Sequence, residues 1–157
     1  GSAGGKAKNN MSNEQKLVVG LMGEAYAFEW LKRHHKKITV NDDCWVSGYR
    51  NQIFSSDSGD DSLGYDFIVR LKSVTYYYEV KASQGDAFSF EMGPTEIACA
   101  QKYAADNQNK YRVLYVSNVT NQNETRVDLL PNPFSTAGSK HIKLVGNGSV
   151  TFKFAIK

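Results

Sequence analysis

The chain has 157 residues, of which 41% are hydrophobic and 22% charged, an ordinary composition that excludes collagen-like and intrinsically disordered chains. Its 19 Lys and Arg residues against 16 Asp and Glu residues give a formal net charge of +3, and the Gly-rich residues 1–10, which we expect to be an expression scar, hold Lys6 and Lys8 of that excess. So small a charge excludes a polybasic, histone-like mode of nucleic-acid binding.

Residues 11–157 suit a single domain, because domains commonly hold about 100–200 residues. The two cysteines, Cys44 and Cys99, form no CxxC pair, which argues against a disulfide framework or a structural zinc site and favours a reducing compartment. No apolar run approaches the roughly 20 residues that a membrane helix needs. We therefore expect a cytoplasmic domain without membrane association.

The first predicted helix begins at a capping box, Ser12 to Gln15, and extends to about residues 33–35. Its apolar positions follow a helical spacing: Leu17, Leu21, Phe28 and Leu31. Glu24 takes the missing place in this series, where a carboxylate is costly unless something binds it. A basic run at 32–37 ends the helix and suits the negative end of its dipole, so we expect His34 and His35 to lie at the surface.

Two alternating segments, 65–71 and 74–82, predict strands joined as a hairpin by the short linker at 72–73. On the second strand, Tyr77, Glu79 and Lys81 share one face because side chains alternate along a strand. A short strand at 88–91, a helix from Gly93 to about Asp106 and a strand at 111–119 follow, and this order predicts a parallel crossover. A strand at 125–130 and a hairpin of 141–145 with 149–156, turning at 146–148, complete a mixed α/β domain.

Three residues of the first hairpin form a candidate catalytic site. The hairpin can bring Asp66 beside Glu79, and two such carboxylates repel each other unless a hard divalent cation, Mg²⁺ or Mn²⁺, lies between them. Lys81 would then reach a phosphate oxygen or the attacking water. Glu24 is then a candidate for a further metal ligand, or for a residue that supports the metal site.

Each of these residues also has a plainer interpretation. Glu79 and Lys81 on their own are compatible with an ion pair on an exposed strand. Glu96 is interpreted first as an acid stabilised by a helix N-terminus, with a role beside the catalytic residues as the alternative. Gln101 and Lys102 are interpreted first as solvent-facing helix residues.

Local charge is more informative than the total. Residues 57–96 carry eight acids against three bases, whereas basic residues that could form a rim lie elsewhere. They are residues 32–37, Arg50, Lys102, Lys110 and Arg112. Phosphate contacts from such a rim supply most non-specific affinity for nucleic acid.

The ordered set of motifs resembles the PD-(D/E)XK nuclease superfamily and, within it, the NO VEIN C-terminal domain. The pieces that carry the resemblance run from helix one to the late Leu130–Pro133 segment. They are Gly23-Glu24, GYDF at 64–67, EVKAS at 79–83, FSF at 88–90, Glu96 and YRVLYVSNV at 111–119.

The resemblance implies a restriction-endonuclease-like mixed β-sheet flanked by helices. It implies that Asp66, Glu79 and the Val80 carbonyl bind Mg²⁺, or Mn²⁺, that Lys81 is catalytic and that Glu24 supports the site. By superfamily analogy Gln101 or Lys102 touches phosphate. Tyr77, because it shares the Glu79 face, is a further candidate to line the groove.

The function implied is a Mg²⁺-dependent endonuclease acting on DNA, in restriction, anti-phage defence or DNA repair. We expect specificity to come from a homodimer or from a helicase- or ATPase-type partner. The alternative is a catalytically silent module of the same fold that binds nucleic acid or protein. An Ig-like extracellular glycoprotein, suggested only by N-x-S/T sequons, fits poorly with two helices.

Overall fold

The computed structural model describes residues 11–145 and 150–156. Four helices, a single 3-10 turn at Asp42–Cys44 and seven strands make up this part of the chain. The helices are α1 (Asn13–His34), α2 (Tyr49–Ile53), α3 (Pro94–Lys102) and α4 (Thr136–His141). The strands are β1 (Phe67–Arg70), β2 (Thr75–Ala82), β3 (Ser89–Glu91), β4 (Asn109–Ser117), β5 (Arg126–Leu130), β6 (Ile142–Val145) and β7 (Thr151–Phe154).

The main sheet has the strand order β1-β2-β4-β5. The predicted hairpin is confirmed, because β1 and β2 pair antiparallel with Phe67 opposite Tyr78. The predicted crossover is confirmed as well, because β4 lies parallel to β2 with Val113 beside Glu79. The chain therefore has the mixed α/β architecture expected from its element order.

A smaller antiparallel sheet, ordered β3-β7-β6, lies beside the main one. The closing hairpin is confirmed by the pairing of β6 with β7, in which Ile142 faces Phe154. Its predicted turn at 146–148 lies outside the described residues.

Strands β2 and β4 are buried on both faces, so alternate residues contribute to two cores. Tyr78, Val80 and Leu114 face α1 in one core. Tyr111 and Val113 face the other core, which α3 and the small sheet cover. Neighbouring residues of β2 therefore point into different environments, and Glu79 and Lys81 lie on the α3 side.

Helix α1 begins at the predicted capping box, in which Ser12 and Gln15 bond reciprocally. The predicted inner face is wrong at its start, because Leu17 is 60% exposed. The buried row instead runs through small and branched residues: Val19, Gly23, Ala27 and Leu31. A Cβ on Gly23 would clash with the Ala82 side chain, so the missing side chain is what lets α1 approach β2 this closely.

The end of α1 corrects a second expectation. His34 is exposed as predicted, but His35 is buried, and its Nε2 lies 2.7 Å from the Tyr78 hydroxyl. The ring of His35 also contacts Tyr76 at 5.4 Å between centroids. The chain turns inward directly after the helix, which carries His35 over the first residues of β2.

Among the described residues, no helix combines the length and the apolar character that crossing a membrane requires. Cys44 and Cys99 are both free thiols.

Candidate active site

Asp66 lies immediately before β1, and its backbone N–H donates to the Tyr78 carbonyl at 2.8 Å. Continuing the Phe67–Tyr78 register by one residue places Asp66 opposite Glu79. The Asp66 side chain turns back to the partner strand, where Oδ2 accepts the Val80 N–H at 2.8 Å. The hairpin therefore brings the two carboxylates to one place, as the spacing predicts.

Glu79 is only 5% exposed, and its Oε2 lies 3.2 Å from the Lys81 ammonium. The side chain of Lys81 is 12% exposed. The plainer interpretation is an ion pair on an exposed strand. The ion pair is present, but the strand is not exposed there, because the pair lies under α3 and largely away from solvent.

Glu96 completes the surroundings of Lys81. Its Oε1 lies 2.7 Å from the Lys81 ammonium and also accepts the Gly93 N–H at 3.2 Å. The interpretation of Glu96 as an acid at a helix N-terminus is thus confirmed. Its contact with Lys81 shows that Glu96 also lies beside the candidate catalytic residues. Pro94 at the first turn of α3 favours this geometry, because its fixed φ suits a helix start.

Glu24 reaches the same region from α1 and is 6% exposed. Its Oε1 accepts the Trp45 indole N–H at 2.8 Å and the Ser47 hydroxyl in a short hydrogen bond. The inward orientation predicted for Glu24 is confirmed. Trp45 and Ser47, which hold it, could not be found from the sequence because they lie in a segment without a periodic pattern.

Burial and mutual repulsion dominate the electrostatics. Burial raises the pKa of Asp66 from 3.8 to about 6, although the Val80 N–H and Lys81 act in the opposite direction. Burial, followed by the charge of Asp66, raises the pKa of both Glu79 and Glu24 well above the usual range. Burial lowers the pKa of Lys81, but Glu79 and Glu96 outweigh it and hold that pKa above its usual range.

The family model of the C-terminal region of protein NO VEIN matches residues 23–129. This match spans more than half of the chain and includes Glu24, Asp66, Glu79, Lys81 and Glu96. The chain belongs to this family. Comparison with curated proteins and comparison with solved structures gave no match.

In this NO VEIN C-terminal domain, three acids (Asp66, Glu79 and Glu96) act on the Lys81 ammonium, and Glu24 acts on Asp66. That charge balance bears on whether a divalent cation fits. Asp66 has one oxygen engaged by Val80, and Glu79 has one oxygen beside Lys81. Across residues 11–145 and 150–156, no group of three or more His, Cys, Asp or Glu side chains is arranged to hold a metal ion. Two carboxylates nevertheless suffice for Mg²⁺, which usually keeps several waters and binds substrate phosphates. The residues present therefore fit Mg²⁺ or Mn²⁺, with the Val80 carbonyl as a predicted further ligand.

The residues expected to touch nucleic acid either have packing contacts of their own or lie at the far end of α3. Tyr77 is half-buried, stacks on Tyr103 at 4.6 Å between ring centroids, and donates its hydroxyl to Asn109 at 2.8 Å. Gln101 and Lys102 are exposed at the end of α3 opposite to Glu96. Their contacts with nucleic acid stay predictions, and Tyr77 already has a packing role.

Proposed function

We propose that this NO VEIN C-terminal domain is a divalent-metal-dependent endonuclease of the PD-(D/E)XK type that hydrolyses DNA phosphodiester bonds. The observation that carries the proposal is the convergence of Asp66, Glu79 and Lys81 in one buried cluster with an excess of negative charge. Such an excess is costly in a protein interior unless a cation offsets it. Glu24, held by two donors from a separate loop, extends the acidic cluster.

Each side chain has a distinct role in this proposal. Asp66 and Glu79 hold Mg²⁺ or Mn²⁺, with the Val80 carbonyl and support from Glu24. When bound, the cation activates water and offsets charge on the phosphate. Lys81 donates hydrogen bonds to a phosphate oxygen or to the attacking water, and Glu96 keeps its ammonium beside Glu79.

The biological setting is proposed from the same superfamily likeness: restriction, anti-phage defence or DNA repair. A domain of this size offers few elements for reading a base sequence. We therefore propose that a second copy of the chain or a helicase- or ATPase-type partner supplies the specificity.

The test is cleavage of a panel of plasmid, single-stranded and modified DNA with Mg²⁺ or Mn²⁺. Lys81→Ala and Glu79→Ala should fold but lose cleavage, whereas Lys72→Ala, which removes an exposed lysine in the β1–β2 turn, should retain it. Cleavage that persists in Lys81→Ala, or in excess EDTA, overturns the proposal.

A second candidate, a catalytically silent adaptor, is favoured by one observation. Lys81 lies within ion-pair distance of both Glu79 and Glu96, so the cluster is partly neutralised by the chain's own groups. Calorimetry distinguishes the two candidates. An absence of Mg²⁺ and Mn²⁺ binding, together with retained binding of DNA, favours the adaptor.

A further inference from the structure

The C-terminal end of α1 and the beginning of β4 meet on one side of the main sheet. His35 packs on the ring of Tyr76 at 5.4 Å, and the Arg112 guanidinium lies over the same ring at 5.9 Å. Arg33, Lys36 and Lys37 flank His35 along the chain and are exposed. We call Arg33, Lys36, Lys37 and Arg112 the α1 basic surface. The sequence alone could name these cations but could not show that they share a side.

Four other candidate rim residues are left out of this surface. Lys110 lies two positions before Arg112 on β4, but its ammonium donates to the Asp106 carbonyl at 2.8 Å. Arg50 pairs with Asp43 at 3.0 Å, and Lys102 lies on α3, on the opposite side of the sheet. Lys32 pairs with Glu29 at 2.7 Å. In contrast, none of the four residues of the α1 basic surface forms an ion pair with another described residue.

The dipole of α1 does not account for this concentration of charge. A basic residue in the last turn stabilises a helix, and Arg33 meets that description. Lys36 and Lys37, however, follow the end of α1 at His34, and Arg112 belongs to β4. Like charges on one side of a domain repel each other. Cations without ion-pair partners, placed both at the end of α1 and on β4, therefore fit an external polyanion better than internal stabilisation.

The distance from the candidate active site suits a nucleic-acid strand. Glu24 and His34 are ten positions apart on α1, roughly 15 Å at 1.5 Å per residue. Phosphates follow one another at roughly 3.4 Å of helix axis on each DNA strand, so about four or five of them span this distance. A strand with one phosphodiester on the α1 side of the candidate active site, beside Glu24, can therefore present neighbouring phosphates to the α1 basic surface.

We infer that the α1 basic surface binds the phosphate backbone of duplex DNA next to the candidate active site. This inference rests on DNA being the substrate, as in the proposed function, and adds where the duplex is held. The contacts are to phosphates, so the surface contributes affinity without reading sequence.

The test measures binding of a fluorescent 30-base-pair duplex in EDTA, where cleavage is absent, at several salt concentrations. The variant is Arg33→Glu/Lys36→Glu/Lys37→Glu. The control is Lys140→Glu/Lys143→Glu/Lys153→Glu, which changes the net charge equally at exposed lysines of α4, β6 and β7. We expect the affinity of the variant to fall about tenfold or more, and its salt slope to shrink by about 0.9 for each phosphate that the surface no longer binds. The control should change the affinity and the salt slope far less.

Equal losses in the two triple variants, or unchanged affinity in the first, overturn the inference. The milder Arg33→Gln/Lys36→Gln/Lys37→Gln variant, with a circular dichroism spectrum, separates the removal of phosphate binding from damage to α1. Poly-glutamate that competes as well as unlabelled DNA at equal charge also overturns it, in favour of an acidic protein. If the first triple variant alone loses DNA binding and the wild-type domain never cleaves DNA, this inference is supported and the nuclease proposal is refuted. If the first triple variant cleaves DNA and binds it with full affinity, the nuclease proposal is supported and this inference is refuted.

Discussion

The ammonium of Lys81 lies 2.7 Å from the carboxylate of Glu96, although β3 and the start of α3 separate the two residues along the chain. The same Glu96 oxygen accepts the Gly93 N–H. One carboxylate thus both caps α3 and fixes the candidate catalytic lysine. The position of the lysine consequently depends on the integrity of the first turn of a helix on another part of the chain.

Replacing Glu96 should reveal this double role. Glu96→Ala removes the partner of Lys81 and the cap on Gly93, so we expect the free energy of unfolding to fall by about 1–2 kcal/mol. Glu96→Gln keeps an acceptor for both donors and should be destabilised less. Urea denaturation measures the effect, with Glu14→Ala, an exposed first-turn acid of α1, as the control. Equal destabilisation of Glu96→Ala and Glu14→Ala would contradict the role in holding Lys81.

Asp66 should make stability depend on pH. Its pKa is about 6 in the folded protein against 3.8 for an ordinary Asp, so the folded state binds more protons between these values and stability falls as pH rises through this window. Asp66→Asn keeps an acceptor for Val80 and removes the titration. We expect the free energy of unfolding of Asp66→Asn, taken relative to that of wild type, to increase between pH 4 and pH 7 by at most about 3 kcal/mol. Urea titrations at both pH values measure it, and parallel pH profiles of the two proteins would refute it.

The contact between α1 and β2 at Gly23 should tolerate no added side chain. A Cβ there would clash with Ala82, so Gly23→Ala should destabilise by about 1–3 kcal/mol although alanine favours helix. Gly85→Ala is the matched control, because a Cβ at Gly85 has no heavy atom within 4 Å. Thermal unfolding compares the two. A Gly23→Ala protein as stable as Gly85→Ala would show that α1 can shift without cost.

His35 should reduce stability at acidic pH. Burial, together with the charge of His34, lowers the pKa of His35, so the unfolded state binds more protons around pH 6 and stability falls as pH decreases below 6.5. His35→Gln retains a partner for the Tyr78 hydroxyl but cannot titrate. Its stability should therefore fall less than that of wild type between pH 7.5 and pH 5.5, whereas His141→Gln, which removes an exposed histidine at the end of α4, should behave like wild type. Identical pH profiles in all three proteins would argue against a neutral buried imidazole.

The hairpin, the crossover and the convergence of Asp66 with Glu79 could all be predicted from sequence. They follow from strict alternation over short segments and from a linker too short to allow another pairing. The buried face of α1 could not, because Gly23 and Ala27 leave no hydrophobic signal where the helix is closest to the sheet. Leu17 gives a strong signal at a position that no other described element covers.

The partners of the site residues were harder to foresee than the residues themselves. Trp45 and Ser47 reach Glu24 only because an irregular segment between α1 and β1 passes beside the helix. The contact of Glu96 with Lys81 depends on where α3 lies over β2. Both depend on long-range packing, which local periodicity does not encode.

The indole of Trp45 gives the buried carboxylate an optical reporter. Its N–H donates to Glu24 at 2.8 Å, and the residue is 1% exposed, so its emission responds to the charge on that carboxylate and little to solvent. The chain has two tryptophans, and Trp30→Phe leaves Trp45 as the single tryptophan. Protonation of Glu24, or arrival of a cation beside it, then becomes visible in an unlabelled protein.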